Sequence, residues 1–127
     1  MNIVIGCRMK HRDLIRETSR KLLELGLTPL FPNLDHSEEQ GDPAKTLEEK
    51  KKLMDDHFAA IDEADVVYFL TPEGYMGTSC KMELGYALAR NKPIYFSEPT
   101  NDLGLDCYAL GFIGTDSLQE FFSLNID

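Results

Sequence analysis

From its first residues the chain alternates short apolar runs with longer segments of helical spacing. Residues 2–6 (NIVIG) form an apolar run closed by glycine and predict a strand. Residues 13–25 carry Leu14, Ile15, Thr18, Leu22 and Leu25 at helical spacing, and Gly26 is placed to end that helix. A short second strand follows over 28–32 (TPLFP), its prolines suited to a sheet edge. Asn33 to Lys45 is polar and turn-rich, a candidate lid, and beyond it Leu47, Met54, Phe58 and Ile61 mark a helix ending near Glu63. Residues 65–71 (DVVYFLT) are almost continuously apolar, as a central parallel strand covered on both faces must be. After the loop PEGYMGT come a helix over 79–90, a strand over 94–97, a loop over 98–106, a short strand over 109–114 and a terminal helix over 116–123.

This alternation predicts an α/β domain of the flavodoxin-like or Rossmann-like kind. We expect a five-stranded parallel sheet of order 2-1-3-4-5, helices on both faces and right-handed crossovers. Such sheets bind ligands beyond the carboxyl ends of their strands, at the switch point between strands 1 and 3. The rule selects two loops, Gly6 to Arg12 and Thr71 to Thr78. No internal repeat, low-complexity tract or change of composition divides the chain, so residues 1–127 read as one domain.

Composition narrows the partners. Hydrophobic residues make up 43% of the chain, but no run is long enough to span a bilayer and the start (MNIVIG) lacks a basic segment before a long apolar stretch; a cytoplasmic protein is expected. Cys7, Cys80 and Cys107 are widely spaced and lack metal-ligand spacing, so reduced thiols and no metal are expected. A formal charge of -9 argues against a nucleic acid polymer as partner and for a small molecule. Neither GxxxxGK[ST] nor GxGxxG occurs, which removes the phosphate fingerprints of P-loop and dinucleotide-binding domains.

One acidic residue stands out. Glu83 lies among small and apolar neighbours in GTSCKMELGYALA. With Ser79 as helix cap, Glu83 would fall one residue beyond the capping-box position, so capping does not explain it, whereas the dipole of a helix start aimed at the switch-point crevice favours an anion there. Arg8, Lys10, His11 and Arg12 form a basic cluster in the first loop. Arg12, Arg16 and Arg20 recur at i+4 spacing and read as a solvated helix face with Glu17 and Glu24, leaving Arg8 as the candidate for a phosphate.

The run from Ile61 to Pro99, with DVVYF, a glycine loop, Glu83-Leu84-Gly85-x-Ala87 and Lys92-Pro93-Ile94, resembles the nucleoside 2-deoxyribosyltransferase family, including its relatives that hydrolyse 2'-deoxynucleoside 5'-monophosphates. The start, IVIGCRMKHRD, is similar to the family's first strand and substrate loop. The resemblance implies that Glu83 is the nucleophile, that no metal or organic cofactor is needed, and that a homodimer or larger homo-oligomer completes the site. It also implies an acid at position 57, where this chain has His57; His57, or Asp56 after a one-residue shift, is the expected proton donor, though His57 also borders the apolar stripe of Met54, Phe58 and Ile61. Gly6, Cys7, Arg8, Gly77 and Ser79 are expected to shape the substrate pocket, and Tyr75 to stack on a base. Cys7 reads as a packing thiol, and Glu73 and Asp35 as solvated carboxylates near strand ends. A noncatalytic nucleotide-binding module of the same fold is the competing reading.

Overall fold

The computed structural model describes residues 1–31 and 44–124. Five strands, β1 (Asn2–Gly6), β2 (Thr28–Leu30), β3 (Val66–Phe69), β4 (Ile94–Phe96) and β5 (Gly111–Phe112), form a sheet of order β2-β1-β3-β4-β5. Every pairing is parallel, with Val4 opposite Val67 and Tyr68 opposite Tyr95. The order and class match the expectation from the alternating pattern. Helices α1 (Arg12–Glu24), α2 (Leu47–Glu63), α3 (Thr78–Ala89) and α4 (Leu103–Asp106) supply the connections.

The period-2 alternation of strand side chains divides the core into two layers. Ile3, Ile5, Val66 and Tyr68 face Ile15 and Leu22 of α1 together with Leu118 and Phe121 near the carboxyl end of the chain. Val4, Val67, Phe69 and Phe96 face Ile61 of α2 and Leu84 and Ala87 of α3. Strand β3 is buried throughout, which explains its unbroken apolar run.

Local signals account for the helix ends. Gly26 adopts φ +84°, and the Leu27 N–H bonds back to the Leu22 carbonyl, closing α1 with the left-handed glycine cap its sequence suggests. Helix α2 starts at Thr46, whose hydroxyl accepts from the Glu49 N–H at 3.1 Å. It ends beside Lys92, whose ammonium donates to the Asp62 and Ala64 carbonyls, each at 3.0 Å.

Three expectations change. Helix α3 is capped by Gly77, not Ser79, and that cap makes no side-chain hydrogen bond. Glu83 is consequently six residues past the cap, in the second turn, where the dipole argument that placed it in the first turn loses most of its force. The stretch expected as a terminal helix is a 3-10 helix, Leu118–Ser123, with Phe121 anchored in the core, and the expected loop over 98–106 contains α4. The candidate lid over 33–45, apart from its last two residues, and Asp35 lie outside the described residues.

Candidate active site

Glu83 is 5% exposed and His57 7%, each a polar residue inside an apolar layer. They reach one another because α2 and α3 pack on the same face of the sheet, His57 on the former and Glu83 on the latter. His57 Nε2 lies 3.6 Å from Glu83 Oε1 and 3.0 Å from the carbonyl oxygen of Ile5 on β1. That last contact places the pair against the carboxyl half of β1, adjoining the switch point between β1 and β3. Phe31 meets the imidazole edge to face with centroids 5.2 Å apart.

Burial dominates the electrostatics. It pushes the Glu83 carboxyl up to about 8, against the smaller opposing pulls of the Lys50 charge and the Cys80 thiol. It pushes His57 down to about 4, against the hydrogen bond to Ile5. At neutral pH the resting pair is therefore mainly an uncharged acid beside an uncharged imidazole. Cys7 is pushed up to about 12 by burial, and Cys80 upward by burial and the nearby Glu83 carboxyl, so both remain thiols. The packing role expected of Cys7 agrees with this.

The other expected residues separate. The Asp56 carboxylate accepts from Lys52 Nζ at 3.1 Å, one turn earlier on α2. Arg8 and Tyr75, from the two switch-point loops, meet each other, the guanidinium carbon 5.3 Å from the centre of the ring. Tyr75 keeps 47% of its surface exposed, and its ring also approaches Gly77, the α3 cap. Gly6 is a glycine for a packing reason: a Cβ there would stand 2.4 Å from the Phe69 ring. Ser79 sits in the first turn of α3 without capping it. Glu73 lies in the 3-10 turn Pro72–Gly74 with φ +58°. That loop is tied to the one after β4 by Thr71, whose N–H donates to Ser97 Oγ at 2.8 Å and whose hydroxyl donates to the Glu98 carbonyl at 2.7 Å.

Arg12 corrects the reading of a solvated helix face. Its Nε and Nη2 are buried and have no hydrogen-bond partner among the described residues, whereas Arg20 pairs with Glu17 three residues before it and with Glu24 four residues after it. The i+4 spacing concealed the distinction; the position of Arg12 as the first residue of α1, in a loop already selected by the switch-point rule, was the usable signal. Lys50 and Cys80 were also missed, although Lys50 is seven residues before His57 and Cys80 three before Glu83, spacings that put each pair on one helix face. Among the described residues, no group of three or more His, Cys, Asp or Glu side chains could hold a metal ion, and no helix is long and apolar enough to cross a membrane.

A doubly wound α/β domain with a buried carboxyl group next to its switch point is the class of protein these features define. The family described as nucleoside 2-deoxyribosyltransferase matches residues 6–113, and the chain belongs to it. Two solved structures share the fold. The 2-deoxyribosyltransferase of Bacillus psychrosaccharolyticus is 19% identical with a TM-score of 0.70, the likeness covering 100% of this chain and 98% of that one. The CMP N-glycosidase BcmB of Clostridium botulinum is 17% identical with a TM-score of 0.56, covering 99% and 100%. No curated protein matches the chain. Family membership supports an enzyme of nucleoside deoxyribosyl transfer or N-glycosidic cleavage.

Proposed function

We propose that this protein cleaves or transfers the N-glycosidic bond of 2'-deoxynucleosides or their 5'-monophosphates through a covalent intermediate on Glu83. The observation that carries the reading is a buried carboxyl group, the only one among the described residues, raised to about 8 and standing beside the switch point of a family member's sheet. As a carboxylate, Glu83 forms a bond to C1' while the C1'–N bond breaks and its electron pair leaves with the base. The transition state resembles an oxocarbenium ion, which the carboxylate charge stabilises. Water, or the nitrogen of a second base, then attacks C1' and releases Glu83; the first outcome is hydrolysis and the second transfer.

The departing base needs a proton. Of the two candidate donors, Asp56 is engaged by Lys52 and His57 is an uncharged imidazole at neutral pH, so that proton reaches the base through water. No metal or organic cofactor enters. A 5'-phosphate would be met by Arg8 at the mouth of the first loop and by Arg12 at the start of α1, whose Nε and Nη2 have no hydrogen-bond partner among the described residues. Leu103, Leu110 and Phe112 expose 84%, 69% and 43% of their surface along α4 and β5, which supports the homo-oligomer implied by the family. The unpaired thiols of Cys7, Cys80 and Cys107 suit a reducing cytoplasm.

The test is to incubate wild type and Glu83→Ala with deoxynucleosides and their 5'-monophosphates, with and without a second free base, and to separate the bases by chromatography. Base release or exchange that vanishes in Glu83→Ala is expected. Binding without turnover by folded wild type would instead support the noncatalytic module.

A further inference from the structure

His57 has one donor nitrogen in its uncharged form, and the fold has spent it. Nε2 lies 3.0 Å from the Ile5 carbonyl oxygen, and a carbonyl can only accept, so Nε2 carries the hydrogen and the tautomer is fixed. Phe31 packs against the ring from another direction, with its plane at 80° to the imidazole. The same Nε2 lies 3.6 Å from Glu83 Oε1, too far for a hydrogen bond at rest. A nitrogen that already bears hydrogen cannot take the Glu83 proton, so the ring offers Glu83 a donor and not a base.

Resting on Glu83 as the attacking group, we infer that His57 is a positioning residue, whose Nε2–H is anchored on the Ile5 carbonyl and is shared with Glu83 Oε1 once Glu83 ionises. A carboxylate accepts more strongly than a carbonyl, so loss of the Glu83 proton supplies the force that shortens the 3.6 Å contact. The carboxylate on α3 is then held through His57, which is itself fixed by β1, so that it is oriented for attack on the anomeric carbon. An uncharged donor suits this task. An imidazolium would pair with the carboxylate and weaken the nucleophile, whereas a second carboxylate would raise the cost of ionising it.

Among the described residues, the charged and titratable groups acting on Glu83 are His57 and Lys50 from α2, Cys80 from its own helix and Cys7 just past β1. Lys50 and Cys80 favour the ionised form, and the two cysteines remain uncharged thiols. The test must therefore isolate the His57 donor. Side-chain nitrogen NMR of the free wild-type protein reads the tautomer directly, and carbon NMR of labelled glutamate in wild type, His57→Gln and His57→Leu reads the Glu83 midpoint. Glutamine retains an N–H and leucine does not.

The expected result is one uncharged Nε2–H tautomer between about pH 6 and 9. His57→Leu should raise the Glu83 midpoint by about one pH unit and lower kcat about tenfold with KM little changed. His57→Gln should recover much of both. An Nδ1–H or charged ring, or a Glu83 midpoint equally displaced in the two folded variants, would overturn the inference. If wild type turns over no nucleoside at all, the glycosyl-transfer reading fails, while the two NMR measurements still decide whether His57 donates to Glu83.

Discussion

Helices α2 and α3 touch through two polar contacts of opposite character. Near the amino ends of the strands, Asp62 of α2 accepts from Tyr86 of α3 at 2.8 Å and from Arg90, just past the end of α3, at 2.7 Å. There the carboxyl is held below its ordinary range by those donors, and the Arg90 guanidinium also lies over the Tyr86 ring. About one and a half turns away along α2, His57 faces Glu83 at 3.6 Å, both are buried, and burial works against the charged form of each. The stacked rings of Phe58 and Tyr86 lie within the same helix pair, with centroids 4.7 Å apart. One contact is satisfied and wet; the other is strained toward neutrality and dry. A pair that only joined the helices would resemble the first, so the cost borne by the second supports the chemistry proposed for Glu83.

Substitution at the dry pair should have the largest effect. Glu83→Gln is expected to lower turnover by about 10^3-fold or more in the chromatographic assay, because an amide cannot serve as the nucleophile. In wild type, kcat/KM for the free enzyme should climb about tenfold per pH unit below the Glu83 midpoint near 8 and level off above it, since the carboxylate is the active form.

The same pair shapes stability against pH. Glu83 is raised from 4.5 to about 8, so between these values the unfolded chain releases a proton that the folded one keeps, and stability falls as pH rises. His57 is lowered from 6.5 to about 4, so in that window the unfolded chain binds a proton that the folded one refuses, and stability rises with pH. The two slopes oppose each other up to about pH 6.5, above which Glu83 acts alone. Urea denaturation should therefore show wild type losing about 2 kcal/mol between pH 6.5 and 8, and Glu83→Gln losing little of it. A flat wild-type profile would mean that Glu83 is already ionised at rest.

Arg12 extends the comparison to a third polar group, whose Nε and Nη2 are buried without hydrogen-bond partners among the described residues. Arg12→Gln should raise KM for deoxynucleoside 5'-monophosphates by about tenfold relative to the matching nucleosides. An equal change for both substrate classes would assign Arg12 to packing alone. The smallest effect belongs to the wet contact: Asp62→Asn should leave kcat/KM unchanged and move Tm by little, because a solvent-screened pair contributes little.

Much of the fold was legible because each strand and helix carries a period set by local geometry. DVVYFLT announced the central strand, and Leu14, Ile15, Thr18 and Leu22 announced the buried stripe of α1; Ile15, Thr18 and Leu22 are its buried residues. Glu83 stood out as a charge in an apolar setting, and the family pattern gave it a role. The cap of α3 was misjudged by two residues because serine, threonine and glycine all suit that position. Arg12 was misjudged because i+4 spacing records which side chains can pair, not which ones solvent reaches.

By itself the sequence determined the α/β class, the strand order and a single conspicuous carboxyl group, all consequences of spacing along one chain. Only the tertiary structure decided that His57, not Asp56, faces Glu83, and that Ile5 fixes its tautomer. It also decided that burial lifts Glu83 to about 8. Those outcomes depend on the distance between residues 26 apart on α2 and α3 and 52 apart on β1 and α2, and on the water excluded between them. Neither quantity is written in the local pattern; both appear when the layers close.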